Sequence, residues 1–333
     1  MQHFTSLEPL HLQGAWVTIG AFDGVHRGHQ ALLRDFVAEA RAHRAPAVVV
    51  TFFPHPAEVL GNRPNPFYLS TPEEKAARIA RLGVDVLVTH PFNRQIAQRR
   101  AREFMEDLHA HLGLRRLWVG YDFALGRNRE GDIPTLRRLG KALGYTLHVV
   151  AAYRLDGEVV SSTRIRKALA RGEVEVAARL LGRPYAVPGE VVQGDGRGRH
   201  LGFPTANLAV WPRRMMPAAG VYACWAETPA GVYPAVINLG VRPTFERRPA
   251  APRLEAHLLD FSGDLYGQTV TVHFMRRLRS EQRFPSAEAL AAQIARDVAA
   301  AREALRAMPW PPGEAVPADA PMAALSDGDA IRK

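Results

Sequence analysis

Between residue 15 and about residue 180, short apolar runs alternate with amphipathic stretches. The runs are Trp16–Phe22, Ala47–Phe53, Val84–His90, Leu117–Phe123 and Tyr145–Ala151. Between them lie Gln30–His43, Pro72–Leu82, Arg99–His111 and Thr135–Leu143, whose apolar positions recur at helical spacing. Strand and helix in alternation predict a parallel sheet with helices on both faces. Ligands of such sheets bind beyond the carboxyl ends of the strands, so chemistry is expected there.

After Gly182-Arg183-Pro184 the pattern changes. Strand-like runs follow one another without helices: Tyr185–Gln193, Gly220–Glu227, Val232–Leu239, Leu254–Phe261 and Gln268–Arg276. Gly and Pro punctuate them, which predicts a small antiparallel barrel. One helix, from about Ser286 to Met308, closes the pattern, with Ser286 and Glu288 near its start. From Pro309 onward Pro, Ala, Asp and Gly dominate, and a disordered tail is expected over 309–333. The fold class is therefore α/β, with a parallel sheet in 1–182 followed by an antiparallel β-barrel and a C-terminal helix in 183–308.

Composition agrees with this division. The chain has 333 residues, 47% hydrophobic and 23% charged, enough for two domains with cores of their own. A net charge of +10 favours anionic partners: nucleic acid, an acidic membrane or a phosphorylated small molecule. Lys and Arg form no block interleaved with aromatics, so small phosphates are expected rather than nucleic acid. The only cysteine, Cys224, rules out a disulfide within the chain and Cys-based metal sites. The first residues, Met-Gln-His-Phe-Thr-Ser, are too polar for a signal peptide. No apolar stretch reaches the ~18–20 residues of a membrane span. A cytoplasmic protein without membrane partners is expected, and the sequence leaves its oligomeric state open.

The first strand runs into Gly20-Ala21-Phe22-Asp23-Gly24-Val25-His26-Arg27-Gly28-His29, and a helical pattern follows at once. Glycines at a strand-to-helix turn let backbone N–H groups approach phosphate, and the helix start favours negative charge. His26 and His29, three apart, share one face of the first turn. They suit phosphoryl oxygens; a metal half-site or two surface histidines would share the spacing. A second segment, Ser161-Ser162-Thr163-Arg164-Ile165-Arg166, sets three hydroxyls and two guanidiniums at another helix start. It reads as a second anion site or as an N-cap followed by a solvated basic turn.

The His-x-Gly-His motif with the later Ser-Ser-Thr-x-x-Arg resembles the nucleotidyltransferase superfamily, with its Rossmann-like sheet. The Phe-Asp-Gly-Val-His-x-Gly-His version is most similar to the adenylyltransferase half of prokaryotic bifunctional riboflavin kinase/FAD synthetases. Thr51-Phe52-Phe53-Pro54-His55-Pro56, Val119-Gly120-Tyr121-Asp122-Phe123 and Arg129-Glu130-Gly131-Asp132 extend the match. The resemblance implies that His26 and His29 contact the ATP phosphates and stabilise the transition state. Gly20, Phe22, Asp23 and Gly24 would shape the loop against the nucleotide. Ser161, Ser162, Thr163 and Arg166 would hold the departing pyrophosphate. Asp122 takes the place of a polar residue near flavin phosphate or ATP, and is otherwise a strand-end cap. The chain departs from the family at Leu125, where a second aromatic is usual.

In the second half, Gly194, Gly196 and Gly198 fall in five positions with Arg197 and Arg199. Such a loop folds around phosphate, or is a flexible hairpin. Thr205 and Asn207 follow in Gly202-Phe203-Pro204-Thr205-Ala206-Asn207, two apart and on one face if extended. Their oxygens suit Mg²⁺. Glu255 and His257 alternate with apolar residues in Leu254–Phe261. By itself this pattern gives an outward-facing acid on a half-buried strand.

Pro-Thr-Ala-Asn after a Gly-rich loop resembles the riboflavin kinase family. So do Gly220-Val221-Tyr222-Ala223 and Asn238-Leu239-Gly240-Val241-Arg242-Pro243-Thr244. The resemblance implies that Glu255 is the general base and that Thr205 and Asn207 serve Mg²⁺. It also sets Arg279 near the flavin. The implied activity is phosphorylation of riboflavin to FMN and adenylylation of FMN to FAD, with ATP as co-substrate. Two alternatives remain at this point: an enzyme with one activity lost, or a basic, non-catalytic RNA- or protein-binding module.

Overall fold

The computed structural model describes residues 1–61, 67–194, 198, 201–240 and 253–310. The expected tail, apart from its first two residues, and Gly196 of the glycine-rich loop lie outside them. The chain forms two compact units. The first holds residues 1–61 and 70–153 of those described, and the second holds 67–69 and 154–310.

In the first unit the order is β1 (Gln2–Phe4), β2 (Trp16–Ile19), α1 (Arg27–Ala42), β3 (Ala47–Phe53), α2 (Pro56–Val59), α3 (Pro72–Ala80), β4 (Val86–Pro91), α4 (Arg94–Gln98), α5 (Ala101–Leu112), β5 (Arg116–Gly120), α6 (Ile133–Leu143) and β6 (Thr146–Val150). The sheet runs β1-β4-β3-β2-β5-β6 with every pair parallel. Alternate strand residues supply its two cores. Val17, Ile19, Val48, Val50, Leu117 and Val119 face Phe104, Met105, Leu108 and Leu136 of α5 and α6. Trp16, Val49, Leu87 and Trp118 face Leu33 and Phe36 of α1 and Ala76 and Ile79 of α3.

The expected parallel sheet is present, with corrections at its ends. A sixth strand, β1, adds an edge too short and polar to show periodicity. The first and fourth expected runs end early, at Ile19 and Gly120, because the chain turns into loops there. Phe22 has φ 48° and cannot extend a strand.

The second unit opens with a hairpin, β7 (Arg154–Leu155) and β8 (Glu158–Val159), turned at Asp156-Gly157 with both φ positive. Helices α7 (Ser162–Arg171) and α8 (Val174–Leu181) follow. Then come β9 (Tyr185–Val192), β10 (Ala206–Val210), β11 (Gly220–Thr228), β12 (Gly231–Gly240), β13 (Arg253–Leu258), β14 (Thr269–Arg279) and α9 (Ala287–Arg306). The six strands close a barrel in the order β10-β13-β12-β11-β14-β9. The strand β10 was not among the expected runs; its five residues carry a single buried leucine, Leu208.

Ile165, Leu169, Leu180 and Leu181 join the barrel core of Tyr222, Cys224, Ile237, Leu254 and Phe274. These apolar stripes are why the units divide at Tyr153/Arg154 rather than at residue 182. Cys224 is fully buried, and burial pushes its thiol well above the ordinary range. The last helix, α9, lies on the outside, where Ala301, Ala304 and Leu305 cover Val221, Ala223 and Val236. Ser286 caps it by accepting from the Ala289 N–H. Among the described residues no helix is long and apolar enough to cross a membrane.

Candidate active sites

The first candidate site is the loop from β2 to α1. Phe22, Gly24 and Val25 have φ of 48°, 79° and 41°. Such a run costs strain unless neighbours fix it. Asp23, buried beneath it, accepts from the Ser70 N–H at 3.3 Å, and Ser70 Oγ accepts from the Gly24 N–H at 3.2 Å. Gly20 is packed tightly, since a Cβ would stand 3.0 Å from the Phe22 ring and oblige it to shift.

The loop delivers His26 as the N-cap of α1. Its Nδ1 accepts from the His29 N–H at 3.3 Å, which leaves the proton of the neutral ring on Nε2. The two imidazoles stack with centroids 3.6 Å apart and 16° between planes. Phe22 meets His29 edge-on at 5.1 Å. Burial, His26 and Lys75, in that order, hold His29 well below the ordinary histidine range. His29 is therefore neutral at pH 7, and its buried Nδ1 has no partner among the described residues. An anion above this pair would restore the proton and be bound by it. Aligned N–H groups at the start of α1 add to that attraction.

The signature also missed Lys75 on α3. It is buried, and its Nζ donates to Ala21 O at 3.2 Å, Thr51 Oγ1 at 2.9 Å and Phe52 O at 3.4 Å. Its visible signal was a lysine one turn before Ile79 on the buried stripe of α3. His55 caps α2 by accepting from the Ala57 N–H, a structural role. Asp122 lies exposed in the turn after β5, where its carbonyl accepts from Arg129 at 3.0 Å. Leu125 packs against the sheet core.

In the second unit, Ser161 caps α7 by accepting from the Arg164 N–H at 3.2 Å. Ser162 and Thr163 occupy its first turn. Arg164 pairs with Glu158 at 2.7 Å, and Arg166 donates to Phe67 O at 2.7 Å while lying over the Phe67 ring. The capping role is therefore real, and Ser161 uses its oxygen in it.

The barrel site is a cavity of about 350 Å³ between the outer barrel face and α9. Strand register builds it. Asn207 on β10 pairs with Glu255 on β13, and Glu255 pairs with Asn238 on β12. Asn238 pairs with Val221, and Val221 with Arg279. One transverse row thus carries Asn207, Glu255, Asn238 and Arg279, all lining the cavity with Thr205 and Gly198. Leu254, Ala256 and Leu258 point the other way, into the core.

His257 lines the cavity too, and its Nδ1 is 2.7 Å from Pro204 O. It ties the segment before β10 to β13. Two glycines are sterically required. A Cβ on Gly194 would stand 2.0 Å from Asn207 Nδ2, and one on Gly198 would stand 2.4 Å from Phe203 O.

Asn207 Oδ1 is buried and has no partner among the described residues. A buried orphan oxygen in a cavity that Thr205 also lines fits a hard cation such as Mg²⁺. Among the described residues no cluster of three His, Cys, Asp or Glu could hold a metal ion. Arg279 is largely spent within the protein. It donates through Nε and Nη2 to Asp297 of α9 at 3.0 and 2.7 Å, and through Nη1 to Ser280 O. Asn238 and Asp297 were not among the expected site residues. Strand register and helix packing place them, and neither is local in sequence.

Comparison with known proteins names a family for each half of the chain. A family model described as FAD synthetase matches residues 8–164, and one described as riboflavin kinase matches residues 181–305. The chain is 41% identical over 296 residues to the bifunctional riboflavin kinase/FMN adenylyltransferase of Escherichia coli (strain K12), covering 87% of this chain and 93% of that one. It is 43% identical over 298 residues to the enzyme of that name from Pseudomonas fluorescens, covering 89% and 94%. Among solved structures, a macrolide-efflux protein from Streptococcus pneumoniae superposes with a TM-score of 0.82 at 32% identity, covering 90% of this chain and 98% of that one.

The Arg279–Asp297 pair yields a stability test. Arg279→Met strands the Asp297 carboxylate, whose side chain is 6% exposed. A loss of about 3 kcal/mol is expected, seen as a lower urea midpoint. Adding Asp297→Leu should recover most of it. No recovery would mean the arginine supports the fold by some other contact.

Proposed function

The chain belongs to the bifunctional riboflavin kinase/FMN adenylyltransferase family, phosphorylating riboflavin to FMN and adenylylating FMN to FAD, and from that premise we propose how its own residues divide the two reactions. The observation that carries the division is the strand row Asn207–Glu255–Asn238, set in a unit of its own apart from the histidine-bearing loop.

In the barrel, Glu255 is the general base. It takes the proton from the terminal ribityl hydroxyl of riboflavin as that oxygen attacks the γ-phosphorus of ATP and ADP departs. Asn238, its neighbour in the row, is placed to orient the carboxylate or the hydroxyl. Thr205 and Asn207 would hold Mg²⁺ through side-chain oxygens, where the ion would supply charge neutralisation to the ATP phosphates. Gly194 and Gly198, with Gly196 outside the described residues, leave backbone N–H groups open to phosphate. Arg279 acts by fixing the cavity wall against α9.

At the loop, an FMN phosphate oxygen attacks the α-phosphorus of ATP and pyrophosphate leaves. No covalent intermediate is needed, so the protein contributes positioning and charge stabilisation. His26 and His29 donate to phosphoryl oxygens as negative charge accumulates. The proton that the neutral His29 lacks is drawn to it when the triphosphate arrives. Asp23, Gly20, Phe22 and Gly24 keep the loop in the shape that presents both rings. Ser162, Thr163 and Arg166 are assigned to the departing pyrophosphate from helix-start chemistry and family resemblance; Ser161 supports them as the cap. Asp122 is assigned to the substrate side of the sheet on resemblance alone. The net positive charge is consistent with anionic substrates.

Three substitutions test this assignment. His29→Ala should lower FAD formation at least about a hundredfold and spare FMN formation. Glu255→Gln should do the reverse. Chromatography reads FMN formation from riboflavin and, separately, FAD formation from supplied FMN, each with ATP and Mg²⁺. Loss of both activities in a folded single variant would contradict two separate sites. Gly194→Ala, by displacing Asn207, should raise the Mg²⁺ concentration needed for FMN formation and leave FAD formation from FMN unchanged.

A further inference from the structure

We infer that Lys75 is a positioning residue of the adenylyl-transfer site: an ammonium set beneath the nucleotide loop that fixes its shape and adds positive charge toward the ATP phosphates. This rests on the histidine-bearing loop being that site.

Lys75 is 7% exposed, yet its three hydrogen bonds all go to neutral oxygens. None of the ion pairs among the described residues involves it. A buried charge held by neutral oxygens alone, with no carboxylate in direct contact, is costly, and an apolar side chain would pack on this face of α3 more favourably. The placement makes sense if the partner arrives with the substrate.

The contacts explain the positioning. Ala21 O accepts from both Lys75 Nζ at 3.2 Å and Thr51 Oγ1 at 3.1 Å. Ala21 is the last residue before the left-handed turns at Phe22, Gly24 and Val25. Two donors on one carbonyl hold the loop from the sheet side, while Ser70 and Asp23 hold it further along.

The charged neighbours give the electrostatics. Asp23 on the loop and Glu73 on α3 favour the ammonium, but burial outweighs them and brings its pKa down to about 8. Lys75 in turn lowers the pKa of His29 on α1 and of His3 on β1. Its field therefore reaches the imidazole assigned to the phosphates.

The test uses the full-length protein, with FAD formation from FMN and ATP measured from about pH 6 to about pH 9.5. In the wild type, kcat/KM for ATP should fall above about pH 8, as free Lys75 loses its proton. Bound ATP favours the charged form, so the fall in kcat should sit at higher pH. Lys75→Met should lower kcat/KM for ATP by about ten- to a hundredfold, mainly through KM, and abolish the alkaline fall. Lys75→Arg, charged throughout this range, should recover part of the activity and also lack the fall. FMN formation from riboflavin should be unchanged in both variants, and wild-type far-UV circular dichroism and urea midpoints report that the sheet unit folds.

A wild-type kcat/KM flat between about pH 7.5 and about pH 9 overturns the inference whatever the variants do. So does Lys75→Met with an unchanged alkaline fall. If His29→Ala retains FAD formation, the site assignment itself is wrong. If His29→Ala is inactive but Lys75→Met is not impaired, only the role of Lys75 falls.

Discussion

The loop between β2 and α1 passes through the left-handed region at Phe22, Gly24 and Val25, and a backbone of this kind persists only where its surroundings over-determine it. Asp23 and Ser70 hold it at one point, Thr51 and Lys75 at another. The reward is the placement of His26. As N-cap it must be extended, with φ −72° and ψ 171°, and its ring must turn toward the helix to accept the His29 N–H. That contact brings the two imidazoles face to face. Stacked rings at 3.6 Å resist double protonation in the free protein, since like charges so close repel. Strain in the backbone, capping of the helix and protonation of the rings are thus one linked arrangement.

The barrel reaches a comparable result by regular structure. Antiparallel register sets Asn207, Glu255 and Asn238 side by side on neighbouring strands. Period-two alternation sends the intervening Leu254 and Ala256 into the core. A one-residue slip of β13 would bury Glu255 and expose the leucines, so the hydrophobic core enforces the chemistry. Glycine is needed where the row meets its surroundings, because Gly194 is the only residue type that leaves Asn207 its space. The outer wall depends on α9, held by Arg279 and Asp297.

Much of this was legible in the sequence, and the exceptions have physical causes. The five apolar runs of the first half and five of the barrel strands showed their periodicity because packed faces require it. The strands β1 and β10 did not, being short and with few buried apolar residues. The division at Tyr153/Arg154 was hidden because α7 and α8 look like ordinary amphipathic helices of an α/β pattern. Only their packing partners, Tyr222 and Phe274 among them, assign them to the barrel. Motif spacing drew attention to His26, His29, Thr205, Asn207 and Glu255. Lys75, Asn238 and Asp297 belong to their sites through contacts distant in sequence, which a linear pattern does not encode.

Cys224 lies on β11 with no solvent exposure, inside a barrel whose strands close on themselves. A thiol there reacts with an alkylating reagent only when the strands part. It is also the chain's sole sulfhydryl. The rate of its modification therefore clocks the opening of the barrel, a native stopwatch built into that unit.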